Sequence, residues 1–192
     1  AKEDSEGLVT KTLMKKLRRE LLKELTGMGP SNTVVVFFYA GHGAEYDGKA
    51  ERFEKLEGLD VALIGDIRHS RVARSNLIAM KTLGMNVRVA GPATLIPKEL
   101  VDVYGCVRCD TVEQAMEGAH VVMSLRLQRE RMVSGLLPSL REYAIEYGIN
   151  AKMLEKTRNE AILMHPGPVN RGVELAADVV DGPRSVILNQ VE

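Results

Sequence analysis

The sequence predicts a three-layer α/β domain: a doubly wound, mostly parallel sheet with helices on both faces. Three observations carry this. Short aliphatic runs recur along the chain, among them Val61-Ala62-Leu63-Ile64, Val121-Val122-Met123 and Ala161-Ile162-Leu163-Met164. They are apolar throughout rather than alternating, as strands buried on both faces must be. Helix-like segments separate them, and strands alternating with helices build parallel sheets. Finally, each of these three runs gives way at its end to a polar loop.

The elements are expected in the following order. Residues 1–7 are read as frayed. A helix follows from Val9 to Leu25, because Val9, Leu13, Leu17, Leu21 and Leu25 recur every four residues. Its basic remainder (Lys11, Lys15, Lys16, Arg18, Arg19, Lys23) is the solvated face of a helix docked on its own sheet. Gly27-Met28-Gly29-Pro30 ends it. The run Thr33–Tyr39 reads as a buried strand closed by Gly41-His42-Gly43, and Ala50–Leu56 as a short helix. Strand Val61–Ile64, helix Ser70–Leu83 ended by Gly84, and strand Asn86–Ala90 come next. Gly91-Pro92 opens a loop, and Pro97 suits the first turn of a helix to Tyr104. A short strand near Val107, a helix Val112–Met116 stopped by Gly118, and strand Val121–Leu125 follow. A loop to Leu137 leads into helices Pro138–Tyr147 and Ala151–Lys156. Strand Ala161–Met164, helical turns over Glu174–Val180 and an extended Ser185–Leu188 complete the chain.

Composition narrows the function classes. The 192 residues fit one domain, read as 1–192 with segments 1–49 and 50–192. Hydrophobic content of 45% is ample for a core, and 27% charged residues is ordinary. Formal net charge is zero, so nothing global favours nucleic acid or a membrane surface. No run approaches the ~20 apolar residues of a spanning helix. The polar N-terminus is unlike a signal peptide, and the expected compartment is the cytoplasm. Cys106 and Cys109 form a Cys-x-x-Cys pair with no second pair, and the four histidines are dispersed, so the thiols are read as incidental and no metal is expected. No Gly-x-Gly-x-x-Gly follows a strand, so no dinucleotide cofactor is expected.

The chemistry lies in three loops. One is Gly65-Asp66-Ile67-Arg68-His69-Ser70-Arg71-Val72-Ala73-Arg74, one Leu125-Arg126-Leu127-Gln128-Arg129-Glu130-Arg131, and one His165-Pro166-Gly167-Pro168-Val169-Asn170-Arg171-Gly172-Val173-Glu174. Open α/β sheets bind ligands outside the carboxyl ends of their strands. A guanidinium fork grips a carboxylate through two parallel hydrogen bonds. Prolines fix where loop carbonyls point, and such carbonyls accept from an ammonium group. The residues therefore suit a small dianion bearing an amine.

In this order and spacing, the three blocks resemble the aspartate-binding lobe of the aspartate carbamoyltransferase family, from about Ala50 to Glu192. The resemblance implies a Rossmann-like fold with L-aspartate as the small-molecule partner and no cofactor. It implies that Arg71 and Arg126 grip the carboxylates, that Gln128 joins them, and that His165, Pro166 and Pro168 lie in the loop meeting both substrates. Glu130 and Arg131 match loop residues that help two lobes close. His165 is a candidate catalytic residue on the same ground. The family's Ser-Thr-Arg-Thr-Arg loop and His-Pro-Thr-Gln block, which hold carbamoyl phosphate, do not occur in this sequence. Residues 8–48 resemble the histidine-bearing strand of caspase-like peptidases, with His42 as the second catalytic candidate. The following strand lacks the cysteine such an enzyme needs. The simplest reading is a chimera, recombined or designed, that keeps an aspartate half-site without complete catalysis. A monomer or non-native dimer is expected. The alternatives are an active transferase of pyrimidine biosynthesis and a caspase-like fragment or interaction module.

Overall fold

The computed structural model describes residues 56–128 and 139–188. The expected elements up to Tyr39, the His42 turn, the Ala50–Leu56 helix apart from Leu56 itself, and Arg129, Glu130 and Arg131 lie outside them.

The strands are β1 (Asp60–Ile64), β2 (Asn86–Ala90), β3 (Val107–Arg108), β4 (Val121–Ser124) and β5 (Ile162–Met164). All pairings are parallel and the order is β3-β2-β1-β4-β5. The helices are α1 (Arg71–Thr82), α2 (Lys98–Tyr104), α3 (Val112–Met116), α4 (Leu140–Tyr147), α5 (Ala151–Leu154) and α6 (Ala177–Val180).

Period-two side-chain alternation divides β1 between two apolar layers. Val61 and Leu63 pack with Ala73, Leu77 and Met80 of α1 on one face. Ala62 and Ile64 pack with α3, α5 and α6 on the other. The sheet is therefore covered on both sides, which explains why its central strands carry no polar face.

Helix starts follow capping chemistry. The Ser70 hydroxyl accepts from the Ala73 amide at 3.0 Å, and that of Thr111 from Gln114 at 3.2 Å. Ser139 and Glu142 form a reciprocal box at the head of α4: the Glu142 amide donates to Ser139 Oγ (3.1 Å), whose hydroxyl donates to Glu142 Oε2 (2.9 Å).

Three expectations are corrected. The 174–180 segment is helical only from Ala177, because the Glu174 carboxylate is buried and spent on loop amides. Ser185 makes a single parallel bridge to Leu163 rather than starting a strand, and Ile187 and Leu188 are helical. A one-turn 3-10 helix, Ala93–Leu95, occupies the loop opened by Gly91-Pro92.

The order of the strands locates the functional end. From β1 the chain moves outward through β2 and β3, then returns to place β4 and β5 on the opposite side of β1. The switch point thus lies between β1 and β4, where open sheets leave a crevice.

Candidate functional site

The loop after β1 is built around Asp66. Its carboxylate is fully buried and accepts from the His69 amide at 3.1 Å, with His69 Nδ1 at 3.0 Å from both oxygens. This three-residue fold-back delivers Ser70 to cap α1 and leaves Arg71 exposed as its first residue. The neighbouring arginines serve the loop itself. Arg68 Nη1 lies 3.4 Å from the Thr94 carbonyl, and Arg74 Nη2 donates to the Arg68 carbonyl at 2.8 Å. Arg71 has no such bond among the described residues.

After β4 the Leu125 amide still donates to the Ile64 carbonyl at 2.8 Å. Buried Leu125 and Leu127 then alternate with half-buried Arg126 and Gln128. Gln128 Oε1 is buried and accepts no hydrogen bond from the described residues.

The loop after β5 starts at His165, fully buried, whose Nδ1 accepts from the Gly167 amide at 2.9 Å. Pro166 is buried and Pro168, behind a cis peptide bond, is exposed. The Asn170 amide donates to Glu174 Oε2 at 2.7 Å. Tyr143 of α4 is 2% exposed and belongs to a small cluster with Leu95 and Leu127. Burial foremost, then the Glu174 and Asp66 carboxylates, push its phenol above the usual tyrosine range.

Arg71, Arg126, Gln128, His165, Pro166 and Pro168 therefore all sit at the carboxyl ends of β1, β4 and β5. Sequence reasoning had not singled out Asp66, Glu174 or Tyr143. Both acids stand inside the quoted blocks, but a buried carboxylate and a solvated one look alike in one sequence. No group of three or more His, Cys, Asp or Glu suited to a metal occurs among the described residues. No helix among them is long and apolar enough to cross a membrane.

A parallel, Rossmann-like sheet with polar loops gathered at its switch point defines an α/β domain of the kind that binds small molecules at that end. The particular lineage is clear from comparison: the chain belongs to the aspartate/ornithine carbamoyltransferase family, whose Asp/Orn-binding domain matches residues 57–192. The aspartate carbamoyltransferase catalytic subunit of Magnetococcus marinus is 54% identical over 137 residues, covering 71% of this chain and 42% of the relative. That of Acetivibrio thermocellus is 54% identical over 141 residues, 73% and 45% respectively. The crystal structure of ornithine carbamoyltransferase from Thermus thermophilus matches with a TM-score of 0.61 at 28% identity, over 72% of this chain and 45% of that one. The chain thus spans less than half the length of these relatives.

Proposed function

We propose that this domain binds L-aspartate as the amino-acid half of a carbamoyltransferase site. The observation that supports this best is a shared place at the switch point: Arg71 heads α1 beyond β1, and Arg126 and Gln128 follow the adjacent β4. Two guanidiniums suit two carboxylates, each by a charge-assisted pair. The buried acceptor of Gln128, which takes no hydrogen bond from the described residues, suits an ammonium donor. Carbonyls of the Pro166–Pro168 segment complete the amine's partners, and His165 backs that loop.

In this reading the aspartate ammonium first gives up a proton, and the free amine attacks the carbonyl carbon of carbamoyl phosphate. The new N–C bond forms as the C–O bond to phosphate breaks, phosphate leaves and the nitrogen loses a second proton, all accelerated by holding the two reactants together. The family's electrophile-binding motifs are not among these 192 residues. We therefore assign to this domain the nucleophile's side only, with no complete reaction of its own. Residues 1–49, with the caspase-like Gly41-His42-Gly43, are read as a graft completing one 1–192 domain. A natural, continuous reading frame across Gly48-Lys49-Ala50 contradicts the graft.

The family name also covers ornithine. Ornithine carries a side-chain cation, which a pair of arginines repels, so the residues favour the dicarboxylate. Thermal unfolding separates the two. A ligand at 100 times its Kd stabilises by about 2.7 kcal/mol. Saturating L-aspartate and succinate are expected to raise the Tm and L-ornithine to leave it unchanged. The reverse order contradicts the assignment.

A further inference from the structure

Two fully buried carboxylates stand at the ligand end of the sheet. The partner of Asp66 is three residues away, within its own loop. Glu174 differs, because its donors come from two strand-end loops. Oε1 accepts from the Leu127 amide at 2.8 Å and from Asn170 Nδ2 at 2.6 Å. Oε2 accepts from the Asn170 amide at 2.7 Å and faces His165 Nε2 at 3.4 Å. The Gly167 amide donates to His165 Nδ1, so the ring nitrogen near the carboxylate is Nε2, at a distance without a formed hydrogen bond to it.

A carboxylate taken out of water is tolerated only where donors replace its hydration. Such a group defines geometry when every donor is matched. Here the geometry concerns ligand groups directly. Leu127 lies between Arg126 and Gln128, and Asn170 closes the loop that begins His165-Pro166.

We propose that Glu174 is the positioning residue of the site: its carboxylate fastens the segment carrying Arg126 and Gln128 to the loop carrying Pro166 and Pro168, so that both face one ligand in register. This rests on the aspartate-binding reading above. Glu174 itself touches no ligand and acts through the Leu127 and Asn170 amides. Replacing it with glutamine turns one oxygen into a donor, and one of the amides then meets a donor instead of an acceptor.

The test uses the isotope-labelled full chain, with succinate as probe. Glu174→Gln and Glu174→Asp are compared with Met80→Ala, a core truncation in α1 on the other side of the sheet. Glu174→Gln is expected to weaken succinate roughly tenfold, the scale of one charge-assisted hydrogen bond. Glu174→Asp should recover part of that, because the charge and both acceptors remain. Met80→Ala should lower the Tm and leave succinate affinity within about twofold of the parent, since distant sites act independently. Equal losses in Met80→Ala and Glu174→Gln, or no loss in either, overturn the proposal. If Glu174→Gln does not fold, Asn170→Ala removes one donor and is expected to weaken succinate while shifting the Leu127 amide resonance. An unmoved Leu127 amide then refutes the link. A parent chain that does not bind succinate defeats the aspartate reading instead. The tie itself is then judged by amide hydrogen exchange: joint loss of protection at Leu127 and Asn170 in Glu174→Gln supports it, and loss at one or neither overturns it.

Discussion

The Tyr143 hydroxyl stands 2.8 Å from the point that a Cβ on Gly65 would occupy. A helix beyond β4 is thereby seated against the turn that leaves β1. Gly65 also has φ of +116°, a backbone conformation that side chains disfavour.

Gly65→Ala is therefore expected to destabilise the fold by about 2 kcal/mol or more, from strain and overpacking together. Tyr143→Phe in the same background should recover the part due to the hydroxyl. Denaturant unfolding of the two single variants and the double variant measures this. Full additivity would mean that the two residues do not meet.

The arginines of the first two loops should separate by role. Arg126→Ala and Arg71→Ala are each expected to weaken succinate by roughly tenfold to a hundredfold, the loss of a charge-assisted pair. Arg68→Ala should stay within about twofold in affinity, because that guanidinium reaches back toward the Thr94 carbonyl. Calorimetric titration of the three variants decides it. An equal effect at Arg68 would contradict the assignment.

His120 is expected to make stability depend on pH. Its Nδ1 accepts from the Asp60 amide at 3.0 Å, which requires the unprotonated nitrogen. Burial first, and the Arg158 guanidinium next, hold it below the ordinary 6.5, against the opposing pull of Asp60 and Glu160. As pH falls below 6.5, the unfolded chain takes up a proton that the folded chain still refuses. Stability then declines until the folded value is reached, and the contribution is fully present above the ordinary value. Proton NMR of the imidazole should give a midpoint below 6.5, and His120→Gln should flatten the slope of stability against pH. A midpoint at or above the ordinary value contradicts this.

The two cysteines should react slowly. Burial is the largest influence on both and pushes each thiol above its ordinary 9.0. Less thiolate is then present at pH 8 than in a free cysteine, and thiolate is the reacting form. Iodoacetamide at pH 8 is expected to label native Cys106 more slowly than Cys109, and both more slowly than in denaturant. Native labelling as fast as in denaturant would show the burial to be wrong.

Much of the frame was legible before the structure. The apolar runs at β1, β4 and β5 marked the central sheet because a strand buried on two faces leaves no polar positions. Ser70, Thr111 and Asn150 cap their helices in the structure, because hydroxyl and amide oxygens satisfy first-turn amides; the sequence carried that signal, but the helices were placed without it. The turn chemistry around Glu174 was not legible. Its spacing from Val179 and Val180 suits a helix, but its carboxylate is spent on the Leu127 amide, 47 residues away, and on the amide and side chain of Asn170. Composition could place arginines in the first loop but not rank them. The ranking follows from Arg74 Nη2 reaching the Arg68 carbonyl while Arg71 points to solvent.

The most direct test of the central claim is a two-dimensional amide NMR titration of the full chain with L-aspartate, repeated on Arg126→Ala. Half a site is expected to bind at roughly millimolar Kd, about −4 kcal/mol. Saturable shifts are expected at Arg71, Arg126 and Gln128, and they should disappear in the variant. A well-dispersed spectrum that does not move, or one that moves equally in Arg126→Ala, would contradict the claim.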